Sequence, residues 1–385
     1  MNLTENWNET KTALTDGLEG NKKVVMEQTL ENTKSYLTET ASAGTTMAGN
    51  IATLNKVILP VIRRVMPTVI ANELVGVQPM TGPVGQIHTL RVRYAETFDS
   101  ATSGDEALSP FSIATGYSGN ATTNAADATS TLEATAGKKL SIQVLKQTVE
   151  AKTRKLSARW TFEAAQDANS MHGLDVEAEV MAALAQEITA EIDQEILASL
   201  RSLAGTPSLT YNQAGVSGTA TFVGDEHAAF AVLVNRAANL IAARTRRGAG
   251  NYLVVSPAML TVLQSATTSA FARTTEGPFE APTNTKFVGT LNGTMRVYAD
   301  QYASDSTVAL VGYKGSGEMD APAYYCPYIP LMSSGVVMDP STFEPVVSFM
   351  TRYGYTELSN QASSLGNAAD YVEGITINSG NLSFT

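Results

Sequence analysis

Charge is scarce in this 385-residue chain: Asp, Glu, Lys and Arg together make up 16% of it, well under the ~25% of an average domain. A monomer depends on surface charge for solubility, so the shortfall points to a surface that partners cover. Cysteine is scarcer still. Cys326 stands alone, which excludes an intrachain disulfide and a thiolate metal cluster. The histidines, His88, His172 and His227, lie far apart, and each is expected to be a hydrogen-bonded structural residue rather than a ligand. No run approaches the ~18 apolar residues of a membrane helix. The opening "MNLTENWNETK" lacks the basic and apolar regions of a secretory signal, so the product is expected in the cytoplasm at synthesis. Lys and Arg number 26 against 37 Asp and Glu, a net charge of -11. That balance disfavours general nucleic-acid binding, which needs a basic footprint.

Catalytic patterns are missing as well. "GYKGSG" (312–317) has neither the spacing nor the Lys-Ser/Thr pair of a phosphate loop. No nucleophile elbow, zincin helix or dinucleotide fingerprint occurs, so no enzymatic role and no cofactor are expected.

What is present is pattern. Residues 1–50 are polar, with Leu14, Leu18, Val24, Val25, Leu30 and Leu37 thinly spaced, a composition that cannot support its own core. The segment reads as an arm that packs on something else and gains order only on assembly. In 55–72, Ile58, Ile62, Val65 and Val69 share one helical stripe, interrupted by Pro60 and Pro67. The breaker-rich "ELVGVQPMTGPVGQ" (73–86) then leads into "IHTLRVRYAE" (87–96), where Leu90, Val92 and Tyr94 alternate with Arg91 and Arg93. Period two predicts a strand with one face buried. No helix N-terminus follows the glycines, so they form an elbow rather than a phosphate cradle.

Residues 97–137 read as a long Ser/Thr/Ala/Gly loop. The following segment (138–160) carries seven basic residues against Glu150 alone and is extended, with a basic face. A nucleic-acid stripe and a face meeting an acidic neighbour both fit. The neighbour is favoured, because only Trp160 is at hand to stack on a base. The strongest element spans 173–205, where Leu184, Ile188, Ile192, Ile196 and Leu200 recur at fours beside Glu177, Glu187, Glu191 and Glu195. Asp175 caps it, Gly205 and Pro207 end it, and ~30 residues give roughly 45 Å of helix. No Glu-x-x-His accompanies the carboxylates, so an acidic face outweighs a di-metal site. From about 225 a second unit follows: a helix (227–250), a strand and Ser256-capped helix (251–266), then strands at 295–300, 307–313 and 344–355.

Five blocks then resemble the T-even-type tailed-phage major capsid protein family: "VIANELVGVQPMTGPVGQI" (69–87), the run 158–193, "RGAGNYLVVSP" (247–257), the block 287–331, and "DPSTFEPVVSFMTRYG" (339–354). The resemblance implies an α+β, Hong Kong 97-like capsid fold. It makes 1–56 the N-terminal arm, and 57–96 with 158–224 a peripheral domain whose spine is the 173–205 helix. It makes 97–157 an extended loop, 225–340 an axial domain, and 341–385 a return to the peripheral domain with the tail. The chain is shorter than the T-even archetype, and the archetype's inserted domain has no counterpart in it.

The implied function is a structural one: self-assembly into hexamers and pentamers that form the icosahedral head shell around phage double-stranded DNA, without sequence-specific binding and with no membrane. Portal, scaffold, maturation protease, and a vertex or decoration protein are the implied partners. Leu37-Thr38-Glu39 loosely matches the family's apolar-x-Glu cleavage triplet, implying a cut after Glu39. An encapsulin-type bacterial compartment shell is the alternative, and a surface adhesin would need an export signal. Lys152, Arg154 and Lys155 are expected to meet Glu177, Glu187 and Glu191 on the spine helix of an adjacent subunit, and the shell's inner face is expected to be acidic.

Overall fold

A computed structural model describes residues 7–42, 70–213, 223–266, 271–273, 286–358 and 368–378, except positions 17, 19, 106, 108–113, 121, 134–135, 174 and 319. The stripe Ile58–Val69 lies outside the described residues. The chain begins with α1 (Trp7–Thr15), α2 (Asn21–Ser42), α3 (Ala71–Leu74), β1 (Gly76–Val77) and β2 (Val84–Tyr94). After α4 (Thr129–Leu132) come β3 (Leu140–Glu150), β4 (Lys152–Arg159), α5 (Phe162–His172) and α6 (Val176–Leu203). The second half holds β5 (Leu209–Tyr211), α7 (Val223–Thr245), β6 (Tyr252–Val255), α8 (Pro257–Ser265), β7 (Phe271–Arg273), β8 (Lys286–Leu291) and β9 (Met295–Ala299). It closes with β10 (Ala309–Gly312), β11 (Ala323–Ser333), β12 (Val337–Met338), β13 (Pro345–Glu357) and β14 (Val372–Ile377). The α+β class expected from the resemblance is what the chain adopts.

Two sheets organise the body. One runs β1-β11-β13-β12 with β4 also paired to β13, and the other runs β5-β14-β10-β6-β9-β8-β7. The helix α6 packs against both. Its buried stripe, Met181 to Leu200, shares a core with Leu331, Val347 and Phe349 of the first sheet and with Tyr252, Val254, Tyr298 and Leu310 of the second. Residues of alternate parity in the second sheet, Leu253, Val255, Val297 and Val311, face α7 and α8 instead. That two-sided burial explains why "YLVV" is apolar throughout rather than alternating.

Local signals formed where they were legible. The Asp175 carboxylate accepts the Glu177 and Ala178 amides at the start of α6, and Gly205 follows its end at a φ of 63°, a left-handed conformation that glycine takes freely. Ser256 caps α8, with Pro257 at its first position. The strand β11 was not foreseen. Pro327 and Pro330 argue against a central strand, yet the ladder with β13 absorbs them through register shifts between Pro327 and Ile329 and between Ile329 and Met332.

Two expectations need correction. The elbow forms only at 78–83. Gly76 is itself a strand residue beside β11, where a Cβ would lie 2.3 Å from the Glu318 carbonyl, and Gly85 lies within β2. The arm was expected to pack only on assembly, yet residues 7–42 pack on the body of their own chain. Trp7, Val25, Met26 and Leu30 are buried in the main core, Asn32 donates to the carbonyls of Met80 (2.6 Å) and Tyr328 (2.9 Å), and Asn21 donates to that of Val77 (3.0 Å). Few anchors suffice because the body offers them a ready apolar surface, so the arm needs no core of its own.

Residues 84–94 and 140–150 pair in strict register, Val84 with Glu150 through Tyr94 with Leu140. The projecting hairpin therefore begins before 97, and β4 (152–159) belongs to the first sheet.

Candidate assembly surfaces

The basic strand and the acidic helix do meet, but within one chain. Arg154 on β4 donates to Glu191 at 2.7 Å and to Glu195 of α6, and to the Tyr353 hydroxyl at 2.6 Å. Tyr353 in turn donates to Glu195. Pairing of β4 with β13 sets Arg154 opposite Thr351, two residues from Tyr353 and so on the same face, which brings the three side chains together over the helix. Burial alone would raise the Glu195 carboxyl, but the hydrogen bonds from Arg154 and Tyr353 outweigh it and hold it below the usual carboxylate range. Arg154 is pushed up for the same reason: burial works against its charge, and the bonds to Glu195 and Tyr353 prevail. Expecting Arg154 to face the Glu191 of a neighbouring subunit is thus corrected, since its own helix lies across the sheet at the right height. Lys152, Lys155 and Glu187 are exposed and Glu177 is half-buried. None of these four forms an ion pair with another described residue.

Further polar links join the regions. Glu73, beside β1, takes Lys22 of the arm at 2.9 Å and Arg296 of the second sheet at 2.8 Å. Asp300 is fully buried and is held by Arg201 (2.7 Å) and Gln194 (2.8 Å) of α6. Asp193 sits between them on the apolar side of α6. One of its carboxylate oxygens accepts the Ile70 amide at 2.9 Å, and the other is buried with no hydrogen-bond partner among the described residues. Burial raises its pKa to about 7, opposed by the Ile70 bond and assisted to a lesser degree by the nearby Asp300 charge. Sequence reading passed over this residue, although an acid on the apolar stripe of a helix was a readable signal.

Apolar side chains gather on the outside at two places. On the hairpin, Leu140, Ile142 and Val144 share one face, and Ile142 is 69% and Val144 62% exposed. Their cross-strand neighbours are Tyr94, Val92 and Leu90. The second place is a corner of the first sheet, where the Phe162 and Phe343 rings sit 6.2 Å apart. Phe343 is 75% exposed, and its φ is 56°, a left-handed conformation unusual for a bulky residue.

The remaining candidates are quiet. Cys326 is buried, and burial pushes its thiol up to about 11, which makes it unreactive. His227 is buried against the Ser265 hydroxyl, as a structural histidine would be, whereas His88 is exposed on the hairpin. Among the described residues no group of His, Cys, Asp and Glu is arranged to hold a metal, and no helix is long and apolar enough to cross a membrane.

The family model described as major capsid protein Gp23 matches residues 51–380. The chain belongs to this family. It is 30% identical to the major capsid protein of Vibrio phage KVP40 over 83% of its length and 80% of that protein's. It is also 30% identical to the major capsid protein of Enterobacteria phage T4, over 83% of this chain and 78% of that one. Among solved structures, a chain of the capsid of Myoviridae phage XM1 overlaps with a TM-score of 0.45 and 10% identity, covering 87% of this chain and 99% of that one.

Family membership decides for a phage major capsid protein over a compartment shell, and a shell protein must associate with copies of itself. The low charge of the chain fits such self-association. Tyr353, Glu195 and Asp193 bind the subunit internally instead, and only Glu195 had been noticed in the sequence.

Proposed function

We propose that this chain self-assembles into hexamers, and into pentamers where no separate vertex protein fills them, to build the icosahedral head that encloses phage double-stranded DNA. The reading rests on the Gp23 match across 51–380. We assign Hong Kong 97-like domain roles on the same ground: an arm (1–56), a peripheral domain, an extended loop that includes the hairpin strands 84–94 and 140–150 and stops before β4, an axial domain (225–340) and a tail (341–385). Assembly proceeds in the host bacterial cytoplasm with scaffold, portal and maturation protease, and vertex or decoration proteins join the finished shell. The chain itself has no catalytic role.

Lys152, Lys155, Glu177 and Glu187 remain intersubunit contacts in this reading, because a shell repeats each weak surface pair many times. The shell's inner face is acidic, so that duplex slides rather than sticks. Cleavage after Glu39 falls inside α2 (Asn21–Ser42). A protease needs extended backbone, so the cut requires the end of that helix to open first. The family match begins at 51, beyond this cut.

Electron microscopy of the chain expressed alone and with scaffold tests the reading. Closed shells or capsomer rings are expected. Monodisperse monomer under both conditions, at concentrations where phage capsomers form, would overturn it.

A further inference from the structure

Side chains of α1 and α2 themselves hold the arm on the body. The strand β1 lies at the edge of the first sheet, so its outward backbone groups need partners other than a neighbouring strand. The Val77 amide donates to the Glu318 carboxylate at 2.9 Å, and the Val77 carbonyl accepts the Asn21 side chain at 3.0 Å. Tyr328 falls in the register shift between Pro327 and Ile329 and is left out of the ladder with β13. Its carbonyl accepts the Asn32 carboxamide at 2.9 Å, and the Met80 carbonyl accepts the same nitrogen at 2.6 Å. Gln28 donates to the Asn32 oxygen at 3.2 Å, which fixes the way the amide is turned.

Between the two asparagines, Val25, Met26 and Leu30 enter the core that holds Leu74, Val77, Tyr325 and Leu331. The first helix packs on the second: Trp7 is buried, its indole donates to Glu31 at 3.1 Å, and Lys11 lies 3.6 Å from the same carboxylate. Three carbonyls of the body, those of Val77, Met80 and Tyr328, thus take side-chain donors from the arm. Leaving such a buried acceptor without a donor is costly. Asn presents two donors on one short planar group. Asp has the same shape but no donor, and it would meet both carbonyls with negative charge.

We propose that the face made by β1 and the β11 bulge is a helix-binding site whose ligand is the arm itself, a separable segment read through Asn32. An apolar helix face set into a groove is a binding mode that needs no covalent bond. The link through residues 43–69 raises the effective concentration of the ligand and does not itself hold it in place. A chain cut beyond α2 therefore keeps its arm until a competing helix takes the seat. One consequence rests on the capsid reading above. Cutting after Glu39 leaves Asn21 to Asn32 seated, so cleavage of the arm and its departure are separate events.

The test is the full chain with a site-specific protease sequence inserted between Gly44 and Thr45, cut as the unassembled subunit and passed over a gel-filtration column. The arm fragment is expected to elute with the body as a one-to-one complex. Its elution apart from the body, whether that body is folded or aggregated, would overturn the proposal. That result would leave the capsid reading untouched, since no shell is involved. In a second measurement, a labelled synthetic peptide of residues 7–42 is exchanged into the cut complex and followed by fluorescence anisotropy. Unlabelled peptide carrying Asn32→Asp should compete at least about thirtyfold more weakly than the parent peptide. Lys23→Ala, on the exposed side of α2, should compete like the parent. Equal competition by all three peptides would reject the role given to Asn32.

Discussion

The arm helix α2 and the hairpin β2–β3 received opposite expectations; the arm proved packed, and of the hairpin's apolar residues Val92 and Tyr94 are half-buried while Leu140, Ile142 and Val144 of β3 are exposed. The arm looked too poor in apolar residues to be ordered, yet Met26 and Leu30 are among the most completely buried side chains in the protein. The strand over 87–96 was expected to bury one face, yet those three residues, which β3 sets beside it, are open to water. Apolar pattern gives the direction a face points in; whether that face is covered depends on what the remainder of the chain places opposite it. For α2 the cover is the first sheet of its own body. For the three residues of β3 no described residue of the chain supplies one.

Disturbing the arm should have the largest effect. Leu30→Ala should lower the stability of the isolated subunit by about 2–5 kcal/mol, as cavities in packed cores do, measured by denaturant unfolding. A loss under half a kcal/mol would return the arm to the status of a loose tail.

Asp193 comes next, at the joint where the chain enters the body at Ile70. A carboxyl whose pKa is raised by folding binds protons more tightly in the native state. Its contribution is fully present below the unfolded value near 4 and is lost as pH rises through about 7. Asp193→Asn keeps an acceptor for the Ile70 amide and removes the titration. The variant should match the parent below about pH 4 and exceed it increasingly from there, by up to a few kcal/mol at pH 8. Parallel stability curves for the two proteins between pH 5 and 8 would contradict this.

A smaller loss is expected for Arg154→Ala, about 1–2 kcal/mol, because its bonds are charge-assisted but partly open to solvent. If the arginine served only a neighbouring subunit, the monomer would unfold at an unchanged denaturant concentration. Smallest of all for the subunit is Ile142→Ser, within about 0.5 kcal/mol in unfolding experiments, while shell formation should suffer clearly. Equal damage to folding and assembly would mean that the stripe is covered within its own chain.

Legibility followed sequence distance. The α6 helix could be read with its cap and stop because its apolar residues recur at fours and Asp175, Gly205 and Pro207 are local. Ser256 with Pro257 was readable for the same reason. The strand β11 was hidden because its prolines are tolerated only through bulges that the partner strand β13 makes possible. At the candidate surfaces, the charge excess of 138–160 and of the spine helix was visible, but not that Arg154 reaches its own α6 through a third element, β13. Trp7 and Met26 were overlooked since a helix that borrows its core needs no long stripe. Phe343 gave no signal in the sequence: its left-handed backbone belongs to a turn closed by bonds among Asp339, Phe343 and Glu344, and a phenylalanine is not a residue that marks such a turn.

Hydrogen exchange on the subunit before and after assembly tests the contrast between arm and hairpin most directly. Before assembly, amides of residues 25–33 should exchange as slowly as those of β11 and β13, while those of 86–94 and 140–147 exchange much faster. After assembly the hairpin amides should slow and the arm should change little. Fast exchange in the arm of the free subunit, together with a hairpin indifferent to assembly, would contradict the account.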